Sequence, residues 1–149
     1  MQLEQSILGT IINNPACQML GLQKIQKVEL FSDIDCRLVW SNVEAMYIKS
    51  LEIDSLTLTD FMRKNGDYKK LPKDVIDSIY TYNLSVSNFT TKLELLRNNY
   101  FYNTLKNTTN NIVEKCTDKS QNPLDIVNAS IASLESLLTI ETSQSIIPI

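Results

Sequence analysis

Few residue types in this sequence could perform catalysis. It contains no histidine, so the commonest general base near neutral pH and the commonest metal ligand are both absent. This excludes Ser/His/Asp and Cys/His nucleophile systems. Cys17, Cys36 and Cys116 lie far apart, and no pair has the close spacing of a zinc site. Because an odd cysteine count also argues against a secreted disulfide framework, we expect reduced thiols, two of them in the core.

The carboxylates and glycines also lack a catalytic pattern. Asp33 lies close to Asp35, and Asp54 lies close to Asp60, but each is better explained as a helix cap or part of a solvated helix face. Neither a GxxxxGK[ST] phosphate loop nor a GxGxxG turn occurs, since the three glycines are isolated. The sequence therefore predicts no catalytic, cofactor-binding or metal-binding residue.

One cluster of aromatic residues is a candidate for contact with nucleic acid. Tyr100, Phe101 and Tyr102 lie between Arg97 and Lys106, a composition that could stack bases and contact phosphates. At helical spacing, such a trio more often marks the junction between two cores. The net charge of -3 and the pI near 4.9 also disfavour non-specific binding to nucleic acid.

The only local basic cluster consists of Arg63, Lys64, Lys69 and Lys70. A short helix over 54–65 would then be a candidate recognition helix of a helix-turn-helix regulator. The favoured alternative is a solvated last turn whose cations complement the helix dipole.

Length and composition indicate a single soluble domain, and hydrophobic spacing makes it all-α. The 149 residues, 43% of them hydrophobic, suffice for a core, and only three Gly and four Pro disfavour an all-β or disordered chain. The start, MQLEQSILGT, lacks the basic region of a signal peptide. No apolar run approaches the roughly 18 to 20 residues of a membrane span, so we expect a cytoplasmic protein.

Hydrophobic spacing predicts short helices in the first part of the chain. An apolar stripe over 3–12 marks the first helix, and Asn14 followed by proline caps a second that runs towards Ile25. Asp54 caps the fourth helix, which Gly66 ends, and Pro72 opens the fifth.

Two helix starts are assigned from polar residues. Ser32 with Asp35 resembles a capping box for the third helix, and Ser87 and Asn88 are candidate caps for the long helix that follows. The predicted buried face of the third helix comprises Val39, Trp40, Val43, Met46 and Tyr47.

A long helix is predicted from Phe89 to Cys116, because this stretch of about 28 residues contains no Gly or Pro. It carries two apolar seams, displaced by about 100° around the helix. The first is Phe89, Leu93, Leu96 and Tyr100, and the second is Phe101, Leu105, Thr108, Ile112 and Cys116. A helix that changes its buried face midway leaves one core and enters another.

Asn122 and Pro123 begin another helix, which makes a hairpin with the long one. One of its seams has the alternating spacing of three and four residues that is typical of coiled coils: Leu124, Val127, Ile131, Leu134 and Leu138. A second stripe, Ile126, Leu137 and Ile140, lies beside it.

A two-helix hairpin has too little interior to cover both stripes. We therefore expect the surplus apolar surface to pack against the hairpin of another copy, the alternative being that it folds back onto the N-terminal helices. The predicted interface residues are Phe101, Leu105, Ile112, Leu124, Val127, Ile131, Leu134 and Leu138.

Several strings, in order along the chain, resemble the N-terminal domain of DnaB-type replicative DNA helicases. LEQSILGTIINNP, at 3–15, is similar to that family's first helix, in which a Glu-Gln pair precedes a Leu-Gly step. Phe31 followed by CRLVW, at 36–40, resembles the family's Phe, spacer and third helix, although Cys36 stands where the family usually has His. The 53–66 segment resembles its Ile-Asp, Thr-Leu and Gly pattern, and Ser85 to Asn88 resembles its entry into the hairpin.

The resemblance implies a bundle of short helices (1–88), a helical hairpin (89–141) and the start of an interdomain linker (142–149). It also implies a self-associating collar domain, a dimer or a trimer of dimers, that docks primase or a helicase loader and meets single-stranded DNA only through the assembled ring. ATP and Mg would belong to a C-terminal ATPase domain, and no catalytic group to this chain. Two alternatives remain at this point: a stand-alone helix-turn-helix regulator, and a free-standing helicase partner such as a loader or the helicase-binding domain of primase.

Overall fold

The computed structural model describes the backbone of residues 2–145 and the side chains of residues 2–139. Across this range the chain is helical and contains no strand, which confirms the all-α prediction. The α-helices are α1 (Gln2–Asn13), α2 (Pro15–Lys24), α3 (Ile34–Ile48), α4 (Ser55–Asn65), α5 (Lys73–Thr81), α6 (Val86–Asp118) and α7 (Pro123–Ser145). Two short 3-10 helices lie at Val28–Leu30 and Tyr68–Lys70. None of the helices, within the described residues, is long and apolar enough to cross a membrane.

The chain divides into two compact units, Met1–Arg97 and Asn98–Ile149. The division falls within α6, at the point where the apolar seam of the sequence changes face. In the first part of this helix, Phe89, Leu93 and Leu96 are buried. The first seam is thus buried in the first unit up to Leu96, whereas the second seam lies in the second unit and has no fully buried residue.

The predicted caps of α2 and α4 are confirmed, as is the predicted end of α4. The side chain of Asn14 accepts a hydrogen bond from the Ala16 amide at 3.1 Å, and Pro15 occupies the first position of α2. Asp54 and Thr57 form a reciprocal capping box at the start of α4, with N–H to side-chain distances of 2.8 and 2.9 Å. Gly66 ends α4 in the left-handed conformation, at φ 84°.

Two predicted caps are wrong. The N-cap of α3 is Asp33, whose carboxylate accepts from the Asp35 amide at 2.8 Å, while Ser32 donates to Glu4. The expected cap, Ser32, is thus engaged by Glu4, a hydrogen-bond partner that is distant in sequence. The start of α6 is satisfied by Ser85, whose hydroxyl oxygen accepts from the Asn88 amide, so the helix begins at Val86 rather than near Phe89.

The core of the first unit surrounds α1, which packs against α2, α3 and α5. Its buried apolar residues are Ile7, Leu8, Ile11 and Ile12. Gly9 permits the close approach of α5, since a Cβ at this position would lie 2.1 Å from the Ile79 carbonyl oxygen. On α3 the predicted buried face is confirmed except for Tyr47, which is exposed and directs its hydroxyl towards the Met19 sulfur at 3.9 Å.

The second unit contains the hairpin of α6 and α7. Lys119 adopts a left-handed φ of 59° after α6, and Asn122 caps α7 by accepting from the Leu124 amide at 2.9 Å. The helix α7 continues to Ser145, which includes the first four residues of the segment assigned to a linker. Residues 146–149 and the side chain of Ile140 lie outside the described residues.

Candidate oligomerisation surface

The two apolar stripes of α7 differ in burial. Ile126 and Leu137, from the stripe beside the coiled-coil seam, are buried. The five seam residues are between 39% and 70% exposed: Leu124, Val127, Ile131, Leu134 and Leu138. A single chain therefore covers one stripe of α7 and leaves the coiled-coil seam open.

The predicted interface residues on α6 differ in their exposure. Phe101 and Ile112 are half-buried, whereas Leu105 is exposed. Phe101 also lies against Tyr100, with ring centroids 6.1 Å apart and tilted planes. Of the aromatic trio, Tyr100 and Phe101 are half-buried, whereas Tyr102 is 70% exposed.

An open groove of about 750 Å³ lies between the two arms near the hairpin turn. Four of the predicted interface residues line it: Ile112, Val127, Ile131 and Leu134. The other four, Phe101, Leu105, Leu124 and Leu138, are not among the residues of its lining. The structure therefore brings together the middle of the predicted surface and leaves its ends outside the groove.

Two cations in the groove lining were not among the predicted interface residues. Lys115 is half-buried in the last turn of α6, and Lys119 is exposed directly after that helix. Within its described side chains α7 carries the acidic residues Asp125 and Glu135 and no lysine or arginine. That charge asymmetry between the two arms was the sequence signal that could have identified these lysines.

The three thiols differ in burial. Cys17 and Cys36 are buried and Cys116 is exposed, so two of the three thiols lie in the core as expected. Burial raises the pKa of Cys17, and burial together with the charges of Asp33 and Glu4 raises the pKa of Cys36 to about 12. Among the described residues no group of three or more Cys, Asp or Glu could hold a metal ion.

The basic cluster of the first unit is largely occupied by intramolecular contacts. Lys64 pairs with Asp60 at 2.9 Å, and Lys70 pairs with Asp67 at 3.0 Å. The Arg63 guanidinium lies 4.8 Å from the centroid of a tyrosine ring, that of Tyr68. This arrangement matches a solvated helix end, and no observation favours a recognition helix.

Comparisons with known proteins identify the family of this chain and, separately, its fold. A family model described as DnaB-like helicase N terminal domain matches residues 1–98. The crystal structure of the N-terminal domain of DnaB helicase from Mycobacterium tuberculosis superposes with a TM-score of 0.78 at 12% identity, over 91% of this chain and 95% of that chain. This likeness includes the hairpin, and at such low identity it shows the fold alone. The comparison with curated proteins finds no match. Because the family model spans most of the 149 residues, the chain belongs to the DnaB-like helicase N-terminal domain family.

Proposed function

We propose that this domain is the oligomerisation collar of a hexameric replicative helicase, and that it pairs with a second copy through its hairpin. The observation that carries the proposal is the exposure of all five residues of the coiled-coil seam, while the neighbouring stripe of α7 is buried. An exposed apolar seam with this spacing is suited to interdigitate with another helix. The simplest partner is the same surface of another copy, because most soluble oligomers are built from identical chains.

Charge supports this pairing. The groove has Lys115 and Lys119 in its lining, whereas the described part of α7 carries Asp125 and Glu135 and no cation. In a two-fold arrangement each groove receives the α7 of the other copy, so cations and carboxylates can face each other in both halves. These contacts orient the two hairpins, while the apolar seam supplies most of the stabilisation.

The remaining roles are also part of the proposal, and membership of the family supports them. The chain contributes no catalytic group, and ATP and Mg bind a C-terminal ATPase domain of the parent helicase. The collar docks primase or a helicase loader, meets single-stranded DNA only through the assembled ring, and works in the cytoplasm.

The test is to replace Ile131 by Asp and to measure mass by analytical ultracentrifugation. We expect hairpin self-association to weaken at least tenfold, because one buried carboxylate without a partner costs more than about 1.4 kcal/mol. Helicity by circular dichroism should remain, since Ile131 is 47% exposed in the single chain.

Two control variants make the result interpretable. Val113→Asp changes an exposed apolar residue on α6 that does not line the groove, and it should leave the mass unchanged. Leu137→Asp places a charge at a buried position and should unfold the hairpin. A folded Ile131→Asp protein with undiminished association would overturn the proposal.

A further inference from the structure

Asn65 and Gly66, at the end of α4, form a dipeptide whose side chain and backbone can react with each other. The chain contains fourteen asparagines, and Asn65 is the only one followed by glycine. The backbone nitrogen of the next residue can attack Cγ of an asparagine side chain, and glycine hinders this ring closure least because it has no Cβ. Asparagine is among the thermolabile residues of proteins. Asn65 is exposed, so water can take part in the reaction.

The backbone at this position is weakly held. Asn65 is the last residue of α4, and Gly66 follows it in the left-handed conformation. The Gly66 N–H donates to the Arg63 carbonyl at 3.3 Å, which is longer than a usual N–H···O hydrogen bond. The ion pair of Lys64 with Asp60 is exposed on both sides, so it adds little to the stability of this turn. Because helix ends fray, local opening of the last turn releases the Gly66 nitrogen.

The other asparagines are less suited to the reaction. Most of them lie inside helices, where the helical hydrogen bonds hold the amide of the next residue. Asn14 and Asn122 precede proline, which has no N–H. Asn83 lies in a connection, but the amide of the following Leu84 donates to the Thr10 hydroxyl oxygen at 2.9 Å. Sequence and backbone geometry therefore both single out Asn65.

The Asn65 side chain belongs to a hydrogen-bond network that joins α3 to the end of α4. Its Nδ2 donates to Asn42 Oδ1 at 2.8 Å, and its Oδ1 accepts from the Asp67 amide at 2.9 Å. Asn42 is buried, and its Nδ2 donates to the Leu38 carbonyl at 2.9 Å and to the Asp67 carboxylate at 3.1 Å. Hydrogen bonds from Lys70 and Asn42 lower the pKa of Asp67, so this carboxylate is ionised at neutral pH.

Only an amide at position 65 satisfies this network. A carboxylate has no donor, so it would place a charged oxygen against Asn42 Oδ1. Turning the Asn42 amide over would not help, because its oxygen would then face the Leu38 carbonyl and the Asp67 carboxylate. With a carboxylate at position 65, a buried polar group stays unsatisfied in either orientation.

We propose that Asn65 is a modification site, which deamidates spontaneously and thereby loosens the contact between α3 and the end of α4. The Gly66 nitrogen loses its proton and bonds to Cγ of Asn65, which closes a five-membered imide. The Cγ–Nδ2 bond breaks, and ammonia leaves with the proton that Gly66 lost. Water then opens the imide at one of its two carbonyl carbons and gives aspartate or isoaspartate. The reaction needs no oxidant or reductant, and it is independent of the hairpin pairing.

Incubation of the intact chain at pH 7 and at pH 9 tests the site. Proteolytic peptides are then analysed by mass spectrometry, and isoaspartate is detected by labelling with an isoaspartyl methyltransferase. We expect Asn65 to be modified before any other asparagine, and faster at pH 9 because the attacking nitrogen must lose its proton. Aspartate and isoaspartate should appear together, since both come from the imide. Earlier modification of another asparagine, or aspartate without isoaspartate at position 65, would overturn the proposal.

The same incubation in urea identifies the nucleophile. Without the hydrogen bond to Arg63, the unfolded chain should react faster at Asn65 than the folded chain. Gly66→Ala is the matched variant, because its strained left-handed φ has no effect once the chain is unfolded. Its Cβ hinders ring closure, so Asn65 should react severalfold more slowly in that variant. Equal rates for the two unfolded chains would exclude attack by the nitrogen of residue 66 and contradict the proposal.

Asn65→Asp reproduces the aspartate product and tests the consequence. Urea unfolding should show a folding equilibrium constant at least about tenfold lower, because a buried acceptor is left facing a charge. Asn65→Ala removes the donor without adding charge, so its loss should be smaller. Asn83→Asp is the charge-matched control at an exposed asparagine of the same unit, and it should change the constant by no more than about twofold. If Asn65→Asp is as stable as this control, deamidation does not loosen the network and the proposal is wrong.

Discussion

The Glu4 carboxylate accepts a hydrogen bond of 2.6 Å from the Ser32 hydroxyl, across 28 residues of sequence. Its second oxygen accepts from the Asp33 amide at 3.1 Å. Glu4 belongs to the first turn of α1 and is buried. Its carboxylate, although it comes from a different helix, helps to cap the start of α3. One side chain therefore fixes the position of two helix ends in the first unit.

We expect Glu4→Ala to lower the free energy of unfolding by about 1.5–3 kcal/mol, because two charge-assisted hydrogen bonds are lost together. Urea unfolding followed by circular dichroism measures the change. Ser32→Ala is the control, since it removes one of the two bonds and should cost about 1 kcal/mol. Equal costs for the two variants would show that the Asp33 amide contact contributes nothing.

The Glu4 contact also shows which caps a sequence can predict. Asn14 and Asp54 cap through neighbours two or three residues away, so the local sequence contains all the partners. Ser32 has the composition of a cap, but a carboxylate from α1 competes for its hydroxyl. Spacing alone contains no information on that tertiary contact.

The same distinction applies to the candidate surface. The coiled-coil spacing on α7 identified the seam from Leu124 to Leu138, and these residues are exposed in the single chain. Periodicity reveals both stripes of the helix but does not determine which one α6 covers, because Ile126 and Leu137 are as apolar as the seam residues.

Gly9 is expected to be intolerant of any side chain. A Cβ there would lie 2.1 Å from the Ile79 carbonyl oxygen and 2.8 Å from the Tyr82 Cβ, so α1 and α5 would have to separate. We predict that Gly9→Ala costs about 3 kcal/mol or more, at the upper limit of overpacking in a core. The measurement is thermal unfolding of the intact chain.

Gly21→Ala provides the matched comparison, since both glycines are buried within helices. The Cβ of that variant would lie 2.7 Å from Cδ1 and 2.8 Å from Cγ1 of Ile11, side-chain atoms that can shift more readily than the backbone carbonyl facing Gly9. The gain of about 1 kcal/mol in helix propensity offsets part of the strain, so the net loss should stay below about 1 kcal/mol. A Gly9→Ala protein as stable as Gly21→Ala would contradict the close approach of α1 and α5.

Ser50 offers a stabilising substitution. It follows α3 with a left-handed φ of 58°, and the adjacent Leu51 amide donates to the Met46 carbonyl at 2.9 Å. Because glycine adopts this conformation without the Cβ penalty, we expect Ser50→Gly to raise the free energy of unfolding by about 0.5–1 kcal/mol. Ser50→Ala keeps the penalty and should give no gain, and a stabilised Ser50→Ala would attribute the effect to the hydroxyl instead.

The Cys36 thiol makes stability depend on alkaline pH. Burial and the neighbouring charges of Asp33 and Glu4 raise its pKa to about 12, compared with about 9 for an ordinary thiol. The folded protein therefore retains a proton that the unfolded chain releases. Its contribution is constant below about pH 9 and is lost as the pH rises from 9 towards 12, with a slope of at most about 1.4 kcal/mol per pH unit.

Urea unfolding at pH 7, 9, 10 and 10.5 should reveal this loss as a falling midpoint. Cys36→Ala removes the titrating group, so its midpoint should fall less steeply above pH 9, even though the lost side chain lowers its stability at every pH. Cys116→Ala is the control, a change at an exposed thiol of the second unit, and it should keep the steep dependence. Parallel curves for the unchanged chain and Cys36→Ala would show that the alkaline loss does not come from the Cys36 thiol.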